Sequence, residues 1–215
     1  MISLKKHIEP GSLRDIGSRP SGLAPSDLPI AGRSREAILA AMRREGFVIG
    51  RISADNAFVV HYEESVYYLF VRPEYTRYRT VASQRFGGIP PKHDIDHVHA
   101  RKLADQYGYR YVLVALLPIK INRLHGVYEQ IRQQLESIED VPEVCFADIR
   151  IFDKMLRRDP KIRRALSGLH YAHSPRGSID LGLTLKQRGL WNLTFGFDRP
   201  APEGFVRRLK PIQKR

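Results

Sequence analysis

Short apolar runs separated by polar or turn-forming segments follow one another through the middle of the chain. Three of these runs are rich in β-branched and aromatic residues and predict consecutive strands at Phe47–Ile52, Ala57–His61 and Ser65–Val71. A fourth run, Tyr109–Leu117, is almost wholly apolar and predicts the most deeply buried strand of the fold. A shorter strand is predicted ahead of it at Asp94–His99.

Helix signals lie between and after these strands. Ser34 is a typical N-cap, the apolar spacing after it predicts a helix through Met42, and Gly46 suits the end of that helix. Further helices are predicted at Ala100–Gln106, Asn122–Glu139, Asp148–Arg158 and from Asp159 to Gly168. Near the C-terminus, the alternating runs Ile179–Lys186 and Leu190–Phe197 predict a β-hairpin.

These elements predict one α+β domain with a mainly antiparallel, mixed sheet and flanking helices. Residues 1–33 are rich in Pro and Gly and lack apolar periodicity, so they are predicted to be a flexible arm that folding does not need. The domain is expected to span residues 34–198, and residues 199–215 to form a basic tail. A chain of 215 residues is long enough to bury a sizeable core.

The charge balance points to a polyanionic partner. The chain has 36 Lys and Arg against 23 Asp and Glu, a formal net charge of +13. Basic side chains that contact phosphates release condensed counterions, so such a protein gains affinity for nucleic acid before any base is read. An acidic membrane attracts the same charge, but the sequence shows no basic amphipathic helix with a broad apolar face, so no membrane partner is expected.

Cysteine content and hydropathy indicate the compartment. The single cysteine, Cys145, cannot form an internal disulfide, and zinc sites built from several cysteines are excluded. It lies in an apolar run and is interpreted as a small core residue. No stretch reaches the length of a membrane span and the N-terminus lacks a signal-peptide core, so a reducing, cytoplasmic location is expected. Export without a cleaved signal stays open.

The densest set of ligand-type side chains lies within residues 93–129. Asp96 and His97 are expected near the end of a strand, and Asn122 near the start of a helix. At about 100° per residue, His125 and Glu129 fall on the same helical face as Asn122. That face meets the Asp-His pair if the two strands around it form a hairpin beneath the helix.

This arrangement resembles the HNH, or ββα-metal, nuclease superfamily over residues 94–130. The resemblance implies that His97 is the general base, Asp96 a metal ligand and Asn122 the residue that orients the catalytic loop. His125 or Glu129 would then be the metal ligand on the helix. The family's final histidine, about eight residues after the Asn, is absent here, where Glu129 and Gln130 stand.

The chemistry of phosphodiester hydrolysis explains these residue types. Imidazole can deprotonate water near neutral pH, and a divalent cation can neutralise the charge that develops on the phosphorus centre and leaving oxygen. A hard ion held by carboxylate and imidazole suits that role, so Mg²⁺ or Mn²⁺ is expected rather than Zn²⁺. An Asn in the outer shell keeps ring and loop in register.

Two other histidine pairs offer different interpretations. His97 and His99 match the His-hydrophobe-His signature of HUH nucleases and relaxases, for which Tyr128 could be the nucleophile. That motif normally lies in an apolar strand, whereas acidic and basic residues flank it here. His170 and His173 could hold a metal, but Gly and Pro nearby place them in a loop with a surface or stacking role.

Interleaved aromatic and basic residues are the candidates for nucleic-acid contact, by stacking on bases or by pairing with phosphates. They are Tyr75, Arg77, Tyr78, Arg79, Arg157, Arg158, Lys161, Arg163 and Arg164. Two functions follow: a metal-dependent endonuclease, or a non-catalytic nucleic-acid-binding or regulatory protein. The sequence does not distinguish DNA from RNA, and it leaves open an inhibitory or other partner protein and the oligomeric state.

Overall fold

The computed structural model of the chain describes residues 28–63, 65–125, 141–147, 154 and 199–213. The predicted hairpin at residues 179–197 and the helix at residues 159–168 lie outside the described residues. So do the helices predicted at 122–139 and 148–158, apart from residues 122–125 and 154.

The described part of the chain contains eight strands and four helices with complete bounds. The strands are β1 Pro29–Gly32, β2 Gly46–Ile49, β3 Ala57–Glu63, β4 Val66–Val71, β5 His93–His97, β6 Tyr111–Pro118, β7 Val144–Phe146 and β8 Leu209–Pro211. The helices are α1 Arg35–Met42, α2 Tyr78–Phe86, α3 Arg101–Gln106 and α4 Glu203–Val206. Residues 119–125, directly after β6, are also helical.

The strands form one antiparallel sheet in the order β7-β1-β6-β4-β3-β2-β8, with β5 added to β6. The first residues of β6 pair with β1 and with β4, and its later residues pair with β5. Every described strand pair is antiparallel. The predicted α+β class with a mainly antiparallel sheet is therefore confirmed.

Helices cover both faces of this sheet, which explains the continuous apolar run of β6. On one face Ile38 and Met42 of α1 pack with alternate residues of β3, β4 and β6. On the other face Val81, Ala82 and Phe86 of α2 pack with the intervening residues. A strand buried on both faces has no solvent-facing positions, so its sequence does not alternate.

The helix predicted after Ser34 is present as α1. The Ser34 hydroxyl accepts a hydrogen bond from the backbone N–H of Ala37 at 3.0 Å, as an N-cap does. The helix ends at Arg43, whose φ of 52° is left-handed, rather than at Gly46. Gly46 is instead the first residue of β2, where an added Cβ would lie 2.9 Å from side-chain atoms of Leu39 and Ile212.

The flexible arm predicted at residues 1–33 extends too far along the chain, because its last residues form a strand. Pro29–Gly32 form β1, which pairs with β6 on one side and β7 on the other. Ile30 and Ala31 are 3% and 0% exposed. Pro and Gly suggested a turn locally, but Pro29 stands at the start of the strand, beside a register irregularity, where its missing N–H is tolerated. Residues 1–27 lie outside the described part.

The predicted basic tail at residues 199–215 is likewise not a tail where the structure describes it. β8 pairs with β2 through Leu209, Lys210 and Pro211. Phe205 of α4 is 1% exposed and packs in the same core cluster as α2. The charged residues around Phe205 are exposed, and their number suggested a tail. The segment is nevertheless attached to the domain by the buried Phe205 ring and by the pairing of β8 with β2.

Residues 72–93 contain Pro73, Gly87, Gly88, Pro90 and Pro91, which are typical of loops, and no helix was predicted there, yet α2 lies in this stretch. Gly87, Gly88 and nearby prolines suggested turns for the whole stretch, but they only end the helix: Gly87 has a left-handed φ of 70°.

Among the described residues, no helix is long and apolar enough to cross a lipid bilayer.

Candidate nucleic-acid interface around His97

Strand β5 decides how the central Asp-His pair is arranged. Asp96 pairs with Ala115 of β6, His97 pairs with Val114, and the next N–H, that of Val98, donates to the Leu113 carbonyl at 2.9 Å. The pairing stays regular through this stretch, so the Asp96 and His97 side chains leave from opposite faces of the sheet. The structure therefore does not bring the predicted carboxylate and imidazole into one pocket.

Asp96 is paired with a buried cation. Lys154 Nζ lies 2.6 Å from Asp96 Oδ2, and the side chains are 1% and 13% exposed, respectively. The predicted divalent metal does not fit this arrangement, because the ammonium stands beside the carboxylate oxygen where a metal ion would be bound. Within the described ranges, no three His, Cys, Asp or Glu side chains are grouped as metal ligands. Sequence reasoning missed Lys154, which lies 58 residues along the chain from Asp96.

His97 is buried against α2. It is 7% exposed, and its ring centroid lies 4.3 Å from that of Tyr78. Its Nε2 is buried and has no hydrogen-bond partner among the described residues. Burial is the main cause that lowers the pKa of His97 to about 4, and the nearby positive charges of Arg101, Arg79 and Lys154 contribute to this shift. The imidazole is therefore neutral at physiological pH.

Arg79 is held at the surface directly over this ring pair. Its Nη1 lies 2.6 Å from Asp94 Oδ1, and its Nε donates to the Tyr78 hydroxyl at 3.1 Å. The hydrogen bond to Asp94 raises the pKa of Arg79. Asp94 Oδ1 also accepts the N–H of Ile95 at 2.8 Å, which fixes the carboxylate. The guanidinium is thus positioned, yet its side chain is 54% exposed.

The predicted Tyr/Arg stretch is divided between core and surface. The Tyr78 ring is in contact with His97 and with the Arg79 guanidinium, whose central carbon lies 5.6 Å from the ring centroid. Tyr75 is partly buried against the core cluster under α2. Arg77 is exposed at the N-cap of α2. The arginines are therefore available to a ligand, whereas the two tyrosines serve the packing of α2.

The other histidines of the motif lie in different surroundings. His99 is 9% exposed, and its ring lies 5.5 Å and 6.2 Å from those of Tyr109 and Tyr107. Because β5 ends at His97, the two histidines are not the alternate ligands of one strand that the HUH interpretation requires. His125 is 5% exposed.

Asn122 does not begin its helix. The helical segment runs through residues 119–125, so Asn122 lies inside it and is partly buried. Ile119 begins the segment, and its N–H donates to the Lys92 carbonyl at 2.9 Å. The other predicted site residues lie outside the described part of the chain: Glu129, Tyr128, Arg157, Arg158, Lys161, Arg163, Arg164, His170 and His173.

Comparison with known proteins returns no relative. No family model matches the chain, and no curated protein or solved structure matches it either.

Proposed function

We propose that the protein binds nucleic acid through the phosphate backbone, without a requirement for catalysis. The observation that carries this proposal is the net charge of +13. The ion pairs of the described part each join one acid to one base, as in Arg72 with Glu74 and Arg207 with Glu203. Pairing therefore cannot remove the excess of basic groups, and that excess attracts polyanions.

The surface around His97 is the best-defined part of the interface. Arg77, Arg79 and Arg101 are exposed, and two of them are close enough to His97 to lower its pKa. Among the described ion pairs, Asp94 is the acid held against these arginines, and it pairs with Arg79. This part of the surface therefore keeps a positive balance suited to phosphate oxygens.

The test is equilibrium binding of the purified full-length protein to fluorescently labelled single- and double-stranded DNA and RNA at several salt concentrations. With about six phosphate contacts, log affinity should fall with log salt at a slope of about −5, because each contact releases a condensed counterion. Polyglutamate serves as a control that carries carboxylates in place of phosphates. An affinity that is unchanged between low and moderate salt would contradict the proposal.

A second candidate is nuclease activity, which the buried, neutral imidazole of His97 favours. A neutral imidazole has one unprotonated ring nitrogen, which can accept a proton from water once the site opens to a ligand. The pairing of Asp96 with Lys154 argues against the metal site that the motif resemblance implies.

Incubation with plasmid DNA and total RNA in Mg²⁺, Mn²⁺, Zn²⁺ or EDTA tests the nuclease candidate. Cleavage that falls by about 10²-fold or more in His97→Ala would support it. Equal cleavage by parent and variant, or no cleavage with any ion, would contradict the nuclease candidate, and nucleic-acid binding would then be the one proposed function that stands.

A further inference from the structure

The buried nitrogen of His97 has no structural explanation within the described fold. A buried polar atom without a hydrogen bond costs about 1–3 kcal/mol, so native proteins keep few of them. The Tyr78 ring packs against the imidazole, with ring centroids 4.3 Å apart and ring planes 53° apart, but it makes no hydrogen bond to Nε2. His97 is more than nine-tenths buried, so bulk water does not satisfy this nitrogen either.

Positive charge surrounds the same ring on several sides. Arg79 reaches over Tyr78 from α2, Arg101 opens α3 four residues after His97, and Lys154 lies across the sheet on Asp96. Of the acids on β5, Asp94 is engaged by Arg79 and Asp96 by Lys154. A cation brought to this ring would meet like charges, whereas an anion would meet opposite ones.

We propose that Tyr78, Arg79, His97 and Arg101, here called the His97 site, form a phosphate-binding subsite of the nucleic-acid interface. In it the His97 Nε2–H donates to a phosphate oxygen while the two arginines supply charge. This inference rests on the proposed function and assigns one phosphate of the ligand to these residues. A neutral imidazole suits the role, because its N–H can donate to an oxygen without an added charge having to be buried.

Asp94 occupies the position that the phosphate would take on Arg79. The Asp94 carboxylate is 30% exposed and accepts from Arg79 at 2.6 Å, as a phosphate oxygen would. Binding therefore requires the phosphate to replace Asp94 as the acceptor on Arg79, and the buried Nε2 to become accessible to that phosphate. Exchange of one acceptor for another at an exposed arginine costs little, because both are anionic oxygens.

The first experiment follows the imidazole ¹⁵N signals of His97 in the full-length protein during titration with inorganic pyrophosphate. We expect the Nε2 signal to shift and saturate. Asp94→Asn should tighten pyrophosphate binding by removing the competing acceptor. Asp55→Asn is the matched control, because Asp55 is exposed in the turn between β2 and β3. No shift of the His97 signals, or equal affinities for the Asp94 and Asp55 variants, would overturn the proposal.

The second experiment compares two substitutions of His97 in oligonucleotide binding. Gln can place an N–H₂ donor near the position of Nε2, whereas Leu cannot, so His97→Leu should weaken binding by about tenfold or more and His97→Gln by less. Urea unfolding checks that both variants fold. If the parent binds oligonucleotides with a steep salt dependence and both variants match it, the subsite is wrong but the proposed function stands. If the parent does not bind, both fail.

Discussion

Two arginines on α2 show how burial decides what a charged residue does. Arg79 is largely exposed and pairs with Asp94, whereas Arg85, six residues further on, is 0% exposed. Arg85 donates to the backbone carbonyl of Tyr67 and, at 2.6 Å, to that of Arg199. It therefore ties α2 to β4 and to the C-terminal segment, which a sequence pattern of basic residues does not reveal.

Replacement of Arg85 by Met should destabilise the fold by about 2–4 kcal/mol, because the carbonyls of Tyr67 and Arg199 lose a buried charged donor. Arg79→Gln, on the same helix, should cost less than about 1 kcal/mol, since an exposed ion pair contributes little. Urea unfolding of both variants measures the difference. Equal losses of stability would show that Arg85 is not the structural link described.

The His97 ring should make stability depend on pH. Its pKa is about 4 in the folded chain and 6.5 in the unfolded one, so the unfolded state binds more protons between these values. The unfolding free energy should therefore fall as pH drops from 6.5 to 4, by up to about 3 kcal/mol, with the contribution fully present above pH 6.5. Urea unfolding at several pH values should show a flatter profile for His97→Phe. Parallel profiles for parent and variant would contradict the depressed pKa.

At the level of elements, β1 and β8 depend on partners that are distant in sequence. β1 is four residues long, yet it lies between β6 and β7 and brings Ile30 into the core. β8 is three residues long and pairs only with β2 in the described sheet. Strands this short gain their stability from burial and pairing rather than from intrinsic propensity.

Removal of β1 should therefore be costly. A chain that begins at Ser34 should be at least about 3 kcal/mol less stable than one that begins at Leu28, because Leu28 and Ile30 leave a core in which they are almost fully buried. The comparison isolates residues 28–33 from everything before them. Ile30→Ala in the full chain should cost about 2–5 kcal/mol. Chemical denaturation of all three checks this, and matching midpoints for the two shortened chains would refute it.

For the whole molecule, the proposed binding of nucleic acid rests on the excess of basic residues. Phosphate contacts fix position on a nucleic acid but carry no base information. The described surface offers exposed arginines at α2 and α3, and no helix with a row of base-reading side chains was predicted. Selectivity should accordingly come from charge density and from fit to the His97 site.

Competition between duplexes tests this expectation. Duplexes of alternating A·T and of alternating G·C base pairs should displace a labelled probe with affinities within about threefold of each other, because both present the same phosphates. Arg43→Gln, on the α1 side of the sheet, serves as the charge control for Arg79→Gln. A strong preference for one duplex, or equal effects of the two variants, would point to a different interface.

The local sequence determined those strands and helices whose own residue pattern favours the structure that the fold gives them. The apolar runs of β2, β3, β4 and β6 and the Ser34 cap of α1 each specify a structure within a few residues, and the α+β antiparallel fold follows from their order. Only the tertiary structure decided β1, α2 and β8, where Pro, Gly or basic composition suggested loops. The same holds for the site: strand alternation separates Asp96 from His97, and burial pairs Asp96 with Lys154. These outcomes depend on contacts between segments that are distant in sequence. A buried charge is costly unless it is paired, so the partner of Asp96 is decided by which cation the fold places beside it.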